Sequence, residues 1–410
     1  MIVRRADAET HFLLRLAVTG ALSLVVSAAA ADEARLYDIG GGFLAGAQLE
    51  AGASYANNYF YEANNGLSAA GYRIQPEVSL QRRGSFVDAS FGANLKQTSF
   101  DLPGSLDEYL DYGANGKLGW RPWAKQAFDL SGSFARGHDQ PGLQRTETGG
   151  ALLSSRDVDE WESSRVGLGY SYGSPSSSAS NDLGVSFRKK EYVTNRADTQ
   201  SLNYSGVSLS YLLTYAYSPR TALLFAVGHN STDYEVSRLP SGNSRNGDEL
   251  LLRTGLRWVA SGKTSGSVLV GARSYSSEGR TKPSREGLSW RANVDWAASD
   301  TTTLRLTTSQ NTTETFRFDT EYIDDRSVDL SWRQVWTQRL NTTLKAGYTN
   351  SEFVGTGRTD DIFDLSASAG YRLMRTVSLF GDYNYSKRES TEDPRAYTAP
   401  QISAGVRWTP

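Results

Sequence analysis

The chain has 410 residues, a formal net charge of −2 and only 39% hydrophobic residues. That charge gives no reason to expect a nucleic-acid partner, and the low hydrophobic content argues against a bundle of membrane-spanning helices. The sequence contains no cysteine, which excludes disulfides, thiol nucleophiles and Cys-ligated metal sites.

The first 31 residues predict a secretory signal peptide. Arg4 and Arg5 supply positive charge, residues 16–29 form an apolar run, and small residues precede Asp32 as cleavage sites. The following stretch, 32–45, predicts a short periplasmic lead, and 46–410 predict one further domain.

From residue 46 onward, the chain is a series of segments in which apolar and polar residues alternate. A period of two is typical of a β-strand with one apolar and one polar face. The pattern predicts eighteen strands, with sixteen as the alternative count, and a closed antiparallel transmembrane β-barrel. The predicted strands are 46–57, 71–82, 85–98, 107–120, 126–137, 159–172, 181–193, 201–217, 220–234, 249–260, 264–276, 286–298, 301–316, 321–336, 341–353, 361–373, 376–387 and 397–408.

The links between these strands alternate between short turns and longer polar segments. Outer-membrane barrels have short periplasmic turns and longer external loops. We therefore expect the turns at 82–84, 218–220 and 374–375 to face the periplasm. The links 138–158 and 235–248 should face outside, and both termini should be periplasmic.

Aromatic residues cluster near both ends of the predicted strands. Trp120, Trp258 and Trp408 lie at turn-side ends, whereas Tyr109 and Tyr234 lie at loop-side ends. Two aromatic girdles match the two interfaces of a membrane. A soluble β-sandwich could also use aromatics, but it has no reason to sort them to strand ends.

Several stretches carry a resemblance to a known family. They are GASYANNYF (52–60), YRIQP (72–76), LSY (209–211), YSPRT (217–221) and DYNYS (382–386). With the strand order they make 46–410 resemble the "putative beta-barrel porins" of exopolysaccharide and capsule gene clusters in Gram-negative bacteria. The resemblance implies a large outer-membrane barrel associated with polysaccharide export or assembly, and it implies no catalytic residues.

Strand parity assigns one residue in two to the lumen. In the last nine strands this face carries more arginines than acids, and it predicts a solute path lined by Arg253, Arg257, Arg273, Arg291, Arg305 and Arg333. A basic wall favours anionic solutes. The alternative is that these arginines form ion pairs with acids such as Asp295 or Asp329 and contribute no net field.

The sequence offers little for catalysis, and we expect no enzyme activity, cofactor or metal. Of the two histidines after the signal segment, His138 adjoins Asp139, and His229 is four residues from Asp233. Serines are abundant, so a Ser–His pairing would arise easily by chance. Asp319, Asp324 and Asp325 lack the regular spacing of a calcium loop.

The favoured functional prediction is an outer-membrane conduit or scaffold for the export of an anionic exopolysaccharide. Its expected partners are outer-membrane lipid, the polysaccharide and periplasmic polysaccharide-export proteins. The alternative is a general diffusion porin for small anionic solutes. An inward-folded external loop would favour the porin, and the longest link, 138–158, is the candidate for that role.

Overall fold

Apolar and polar residues alternate along almost the whole chain. In the computed structural model, the alternating segments are β-strands. The structure describes residues 36–64, 66–102, 108–147, 158–174, 177–238, 244–278, 285–317 and 319–410. The predicted signal peptide, 1–31, lies outside them.

The described residues form nineteen strands. These are β1 Tyr37–Gly40, β2 Phe43–Ala56, β3 Ala69–Arg82, β4 Val87–Phe100, β5 Glu108–Trp123, β6 Gln126–His138, β7 Glu160–Tyr172, β8 Ala179–Tyr192, β9 Tyr204–Ser218, β10 Thr221–Tyr234, β11 Gly247–Ser261, β12 Thr264–Ser277, β13 Arg285–Ala297, β14 Thr302–Thr313, β15 Ile323–Val335, β16 Leu340–Phe353, β17 Arg358–Met374, β18 Val377–Ser390 and β19 Tyr397–Trp408. The helical elements are α1, Arg196–Thr199, and the 3₁₀ turns Gln144–Thr146 and Gln200–Leu202.

Strands β2 to β19 form a closed ring. Each pairs antiparallel with the next, and β19 returns to β2 with a register from Gln401↔Ala56 to Trp408↔Leu49. The predicted antiparallel barrel of eighteen strands is therefore confirmed. Each predicted strand matches one strand of the ring, with bounds that agree to within three residues. The alternation was strong enough to locate each strand because the outer face of the barrel must be apolar and the lumen face polar.

β1 lies within the stretch predicted as a periplasmic lead. It forms a short hairpin with β2, in which Tyr37 pairs with Ala45 and Asp38 with Leu44. β2 itself begins at Phe43. The ring thus starts slightly before the predicted first strand, and β1 adds a short extension beside it.

The two faces of the wall differ as the alternation requires. On β11 the side chains of Leu250, Leu252 and Leu256 are 43%, 50% and 42% exposed on the outside of the barrel. Arg253 lies between them in sequence and faces the other way, toward Ser289 of β13. A leucine surface turned outward is suited to contact with lipid, and it leaves the polar side chains to the lumen.

In the part of the chain that the structure describes, no helix has the length and apolar character needed to span a membrane.

Candidate functional site

The six arginines of the predicted path lie on five successive strands, and their partners divide them into two groups. Two of the six form ion pairs with acids, and the other four have no ion pair with any described residue. The positions are Arg253 and Arg257 on β11, Arg273 on β12, Arg291 on β13, Arg305 on β14 and Arg333 on β15.

Arg253 reaches across the neighbouring strand to a neutral partner. Its strand register runs through Gly271 of β12 to Ser289 of β13. Because Gly271 has no side chain, the guanidinium can cross that strand. Its Nε donates a hydrogen bond to Ser289 Oγ at 2.8 Å. The positive charge of Arg253 is therefore positioned without being neutralised.

Two further arginines continue this positive surface. Arg291 Nη2 donates a hydrogen bond to Asn311 Oδ1 at 3.2 Å, again a neutral partner. Arg257 lies four residues from Arg253 on the same face of β11 and has no ion pair with a described residue. We call Arg253, Arg257 and Arg291 the arginine wall. Three guanidinium groups with no ion-paired carboxylate give this side of the lumen a net positive charge.

Arg273 and Arg305 correspond to the alternative in which lumen arginines are neutralised, whereas Arg333 of β15 has no ion pair with a described residue. Arg273 is buried, and its Nη2 donates to Asp324 Oδ2 at 2.6 Å and its Nη1 to Thr312 Oγ1 at 2.9 Å. Arg305 forms an ion pair with Asp295, the residue directly opposite it on β13. The charge of Arg305 is therefore locally balanced, and the solute path along the six arginines stays a prediction.

Residues 139–147, which follow β6, lie across the barrel end formed by the longer links. We call this end the outer mouth and this segment the mouth bridge. At its start, Tyr192 Oη donates to Asp139 Oδ2 at 2.7 Å. In the middle, Gln140 Nε2 donates to the carbonyl of Tyr59 after β2 at 3.4 Å.

Glu147 fixes the far end of the mouth bridge. Its carboxylate accepts hydrogen bonds from Arg358 Nη1 at 2.9 Å and from Arg388 Nη1 at 2.6 Å, and it also pairs with Arg395. These arginines belong to β17, β18 and the link to β19, whereas the bridge departs from β6. Strands β2 to β5, β18 and β19 separate β6 from β17 on the shorter path round the ring, so the bridge crosses the mouth.

The ion-pair cluster around Glu147 is almost fully buried. Glu147 is 5% exposed and Arg358 only 1%. Burial raises the pKa of Glu147, but the hydrogen bond from Arg358 and the charges of Arg388, Arg358 and Arg395 outweigh it, and the pKa falls below its ordinary value. Glu147 is therefore charged at neutral pH. A buried carboxylate with three guanidinium partners holds the bridge in one position.

Between β14 and β15, residues 314–317 and 319–322 form a second segment that also lies inside the mouth. Glu314 forms an ion pair with Arg188 of β8, and the Thr315 backbone N–H donates to Tyr234 Oη at 3.0 Å. Tyr322 packs on Tyr275 of β12 with ring centroids 4.1 Å apart. We call this segment the inner loop. Sequence reasoning placed a link at 317–320 but gave no sign of its inward position, since its contacts are with distant strands.

Neither histidine forms a catalytic pair with a serine among the described residues. His138 Nδ1 lies 2.7 Å from Asp111 Oδ1, and its ring stacks on Tyr109 with centroids 4.1 Å apart. His229 Nε2 lies 3.6 Å from Asp248 Oδ1. No group of three or more His, Asp or Glu side chains in the described ranges is arranged to hold a metal ion.

Comparisons with known proteins agree with this architecture. A family model described as "Putative beta-barrel porin 2" matches residues 38–409. No curated protein matches the sequence.

Among solved structures, the chain resembles the FrpB iron transporter from Neisseria meningitidis, with 10% identity, a TM-score of 0.49, and coverage of 86% of this chain and 64% of that chain. It therefore spans less than two thirds of the FrpB structure. It also resembles Pseudomonas aeruginosa OccK2 in complex with glucuronate, with 11% identity, a TM-score of 0.47, and coverage of 89% and 98%. At such low identity, no shared substrate follows.

Proposed function

The chain belongs to the family described as "Putative beta-barrel porin 2", and on that basis we propose that it is a passive channel for small anionic solutes in the outer membrane of a Gram-negative bacterium. The observation that carries the proposal is the mouth bridge. A conduit for a polysaccharide needs a bore that stays open along its whole length. Here the segment from β6 is anchored through Glu147 to Arg358 and Arg388 on the other side of the mouth.

The bridge and the inner loop narrow the mouth from two sides. The bridge contacts the side formed by β17 and β18, and the inner loop contacts the side formed by β8 to β12. A small hydrated solute needs much less space than a polymer chain. The alternative of a diffusion porin is therefore better supported than the export conduit that the family resemblance favoured.

The preference for anions rests on the arginine wall. Arg253, Arg257 and Arg291 lie on the inner side of β11 and β13. The hydrogen-bond partners of Arg253 and Arg291 are neutral, and Arg257 has no ion pair with a described residue. Fixed positive charge on the wall of a narrow water-filled channel raises the local concentration of anions, and salt screens the effect. Anions should therefore pass more readily than cations of similar size, mainly at low salt.

Planar-bilayer recording of the refolded protein tests this function. We expect discrete single-channel steps, a reversal potential in a salt gradient that indicates anion preference, and exclusion of large neutral polymers. Absence of conductance would overturn the proposal. Free passage of a long acidic polysaccharide would instead support export.

Labelling of intact cells tests the orientation that the proposal assumes. The chain has no native cysteine, so a single introduced cysteine gives an unambiguous signal. An impermeant maleimide should modify a cysteine at position 243 and spare one at position 219. The reverse pattern would place the mouth bridge on the periplasmic side.

A further inference from the structure

The lumen wall next to the arginine wall contains a cavity of about 370 Å³. It lies against the inner face of β14 to β19, and Tyr61, from the link after β2, lies over it. None of the six arginines of the predicted path except Arg305 reaches it. The cavity is therefore a separate place where a solute could pause.

Two acids face each other across a glycine on the side of the cavity nearer the mouth. Asp329 of β15 and Asp364 of β17 both pair in register with Gly347 of β16. A Cβ on Gly347 would lie 3.0 Å from Asp329 Oδ1, so this carboxylate leans over the glycine toward Asp364. Neither acid forms an ion pair or a side-chain hydrogen bond with a described residue, and both are exposed to the lumen.

A basic side chain, Lys345, lies two residues further along β16 toward the turn end of the barrel. Lys345 precedes Gly347 by two residues on β16, and it lies in register between Ser331 and Ser366. Two residues of a strand span about 6.6–6.8 Å, which sets the spacing between the acid row and the lysine. Lys345 has no ion pair with a described residue, whereas Arg305, at the edge of the same row, is neutralised by Asp295.

Tyr61 supplies an aromatic cover. Its backbone has a φ of 54°, and its ring packs edge-on against Tyr397 with centroids 4.9 Å apart. Burial, followed by the charges of Tyr397 and Asp364, raises the pKa of Tyr61 to about 12. The ring is therefore neutral at physiological pH. A neutral tyrosine ring beside two carboxylates suits an alkylammonium group, which it can contact through its π face.

We propose that this cavity binds a small zwitterion, with its ammonium group between Asp329 and Asp364 and its carboxylate at Lys345. The unpaired charges are two carboxylates and one ammonium, so the site has a net charge of about −1 and repels a simple anion. The negative charges of Asp329 and Asp364 and the positive charge of Lys345 are separated by about the distance between the charged ends of a short amino acid. The inference rests on the proposed channel function only for access of solutes to the lumen.

Three probes of equal chain length test the site: 4-aminobutanoate, butanoate and butylammonium. Equilibrium dialysis of the full-length protein in detergent at low salt measures binding, and interruptions of single-channel current measure it in the bilayer. We expect 4-aminobutanoate to bind about 10-fold more tightly than butanoate, because two solvent-exposed ion pairs together contribute on that scale.

Variants separate the two ends of the site. D329N/D364N should remove the preference for 4-aminobutanoate over butanoate. K345Q should weaken the binding of 4-aminobutanoate but leave the binding of butylammonium unchanged or make it tighter. D382N is the matched control, since Asp382 is a lumen acid of β18 outside the cavity that lies near Arg73. It should change binding less than about 2-fold, in keeping with a rim charge outside the site.

The outcomes distinguish this inference from the channel function. Equal binding of the three probes, or wild-type behaviour of D329N/D364N in a folded barrel, would overturn the zwitterion site even if the barrel conducts anions. A barrel that does not conduct but binds 4-aminobutanoate through the two acids would overturn the channel and leave the site standing.

Discussion

Arginines at the outer mouth and arginines of the mid-barrel wall have the same side chain but opposite surroundings. At the mouth, Arg358 is 1% exposed and donates to both Glu147 and Asp360. In the wall, Arg253 and Arg291 donate to the neutral side chains of Ser289 and Asn311. The mouth therefore uses arginine to hold a segment in place, and the wall presents arginine charge to the lumen.

The difference shows that the charge of an arginine is not by itself a sign of function. A guanidinium that is buried and paired with carboxylates holds the paired segments in place. It contributes little electric field to the lumen, because the carboxylates cancel its charge at short range. A guanidinium with neutral partners in a water-filled lumen contributes a field. The acids decide which case applies. At the mouth they include Glu147 from a distant segment, and in the wall Asp295 comes from the strand next to that of Arg305.

The largest effect is expected from breaking the mouth cluster with Glu147→Gln. This change leaves Arg358, Arg388 and Arg395 without their shared carboxylate. Removal of one member of a buried ion cluster costs about 3–5 kcal/mol locally. The bridge should detach, and single-channel conductance should rise while the barrel stays folded. Glu389→Gln, which removes an exposed partner of Lys387 on β18, is the control and should leave conductance unchanged.

The pH dependence of the bridge follows from the lowered pKa of Glu147. A carboxylate whose pKa is lowered in the closed state stabilises that state above its ordinary pKa, near 4.5, and the stabilisation is lost as pH falls through the lowered value. Conductance should therefore stay constant through mildly acidic pH and rise only in strong acid. A rise near neutral pH would show that another group controls the mouth.

The next effect tests the register on which the two faces of the wall depend. Leu256→Arg should impair folding into bilayers, because an arginine that faces the bilayer midplane costs about 2–4 kcal/mol. Arg257→Leu should fold, since position 257 lies on the lumen side of β11. The heat-modifiable mobility of folded barrels in gels measures both. Equal folding of the two variants would show that this register is wrong.

The strands of the barrel could be predicted well from the sequence, but the contacts at the outer mouth could not, for a physical reason. Period-two alternation recurs within each strand, so the bounds of β2 to β19 could be predicted from local residues. The sequence offered the pairing of Arg305 with Asp295 as an alternative, and in the structure the two residues lie opposite each other on adjacent strands. Glu147 lies outside any alternating segment, and its partners are 211 to 248 residues away. No local pattern could connect them.

A moderate effect is expected from removal of the arginine wall. The variant R253Q/R257Q/R291Q should lower the ratio of anion to cation permeability by about 3-fold or more at low salt, and less at high salt, because ions screen the fixed charge. Reversal potentials in a salt gradient measure the ratio. Arg273→Gln is not a suitable control, because Arg273 is buried against Asp324. Unchanged selectivity of the triple variant in a conducting barrel would exclude the wall as the selectivity element.

The smallest effect sharpens the comparison at Arg305, a lumen arginine that lies between the two cases. Arg305 is paired with Asp295, but its side chain is 50% exposed, unlike the arginines of the mouth. An exposed ion pair contributes only about 0.2–1 kcal/mol, so Asp295→Asn should leave folding unchanged. It should nevertheless free the charge of Arg305 and raise anion selectivity slightly. The double variant D295N/R305Q restores neutrality at this position and should return selectivity to the wild-type value. If D295N alone changes nothing, carboxylate pairing does not decide which lumen arginines act on the solute.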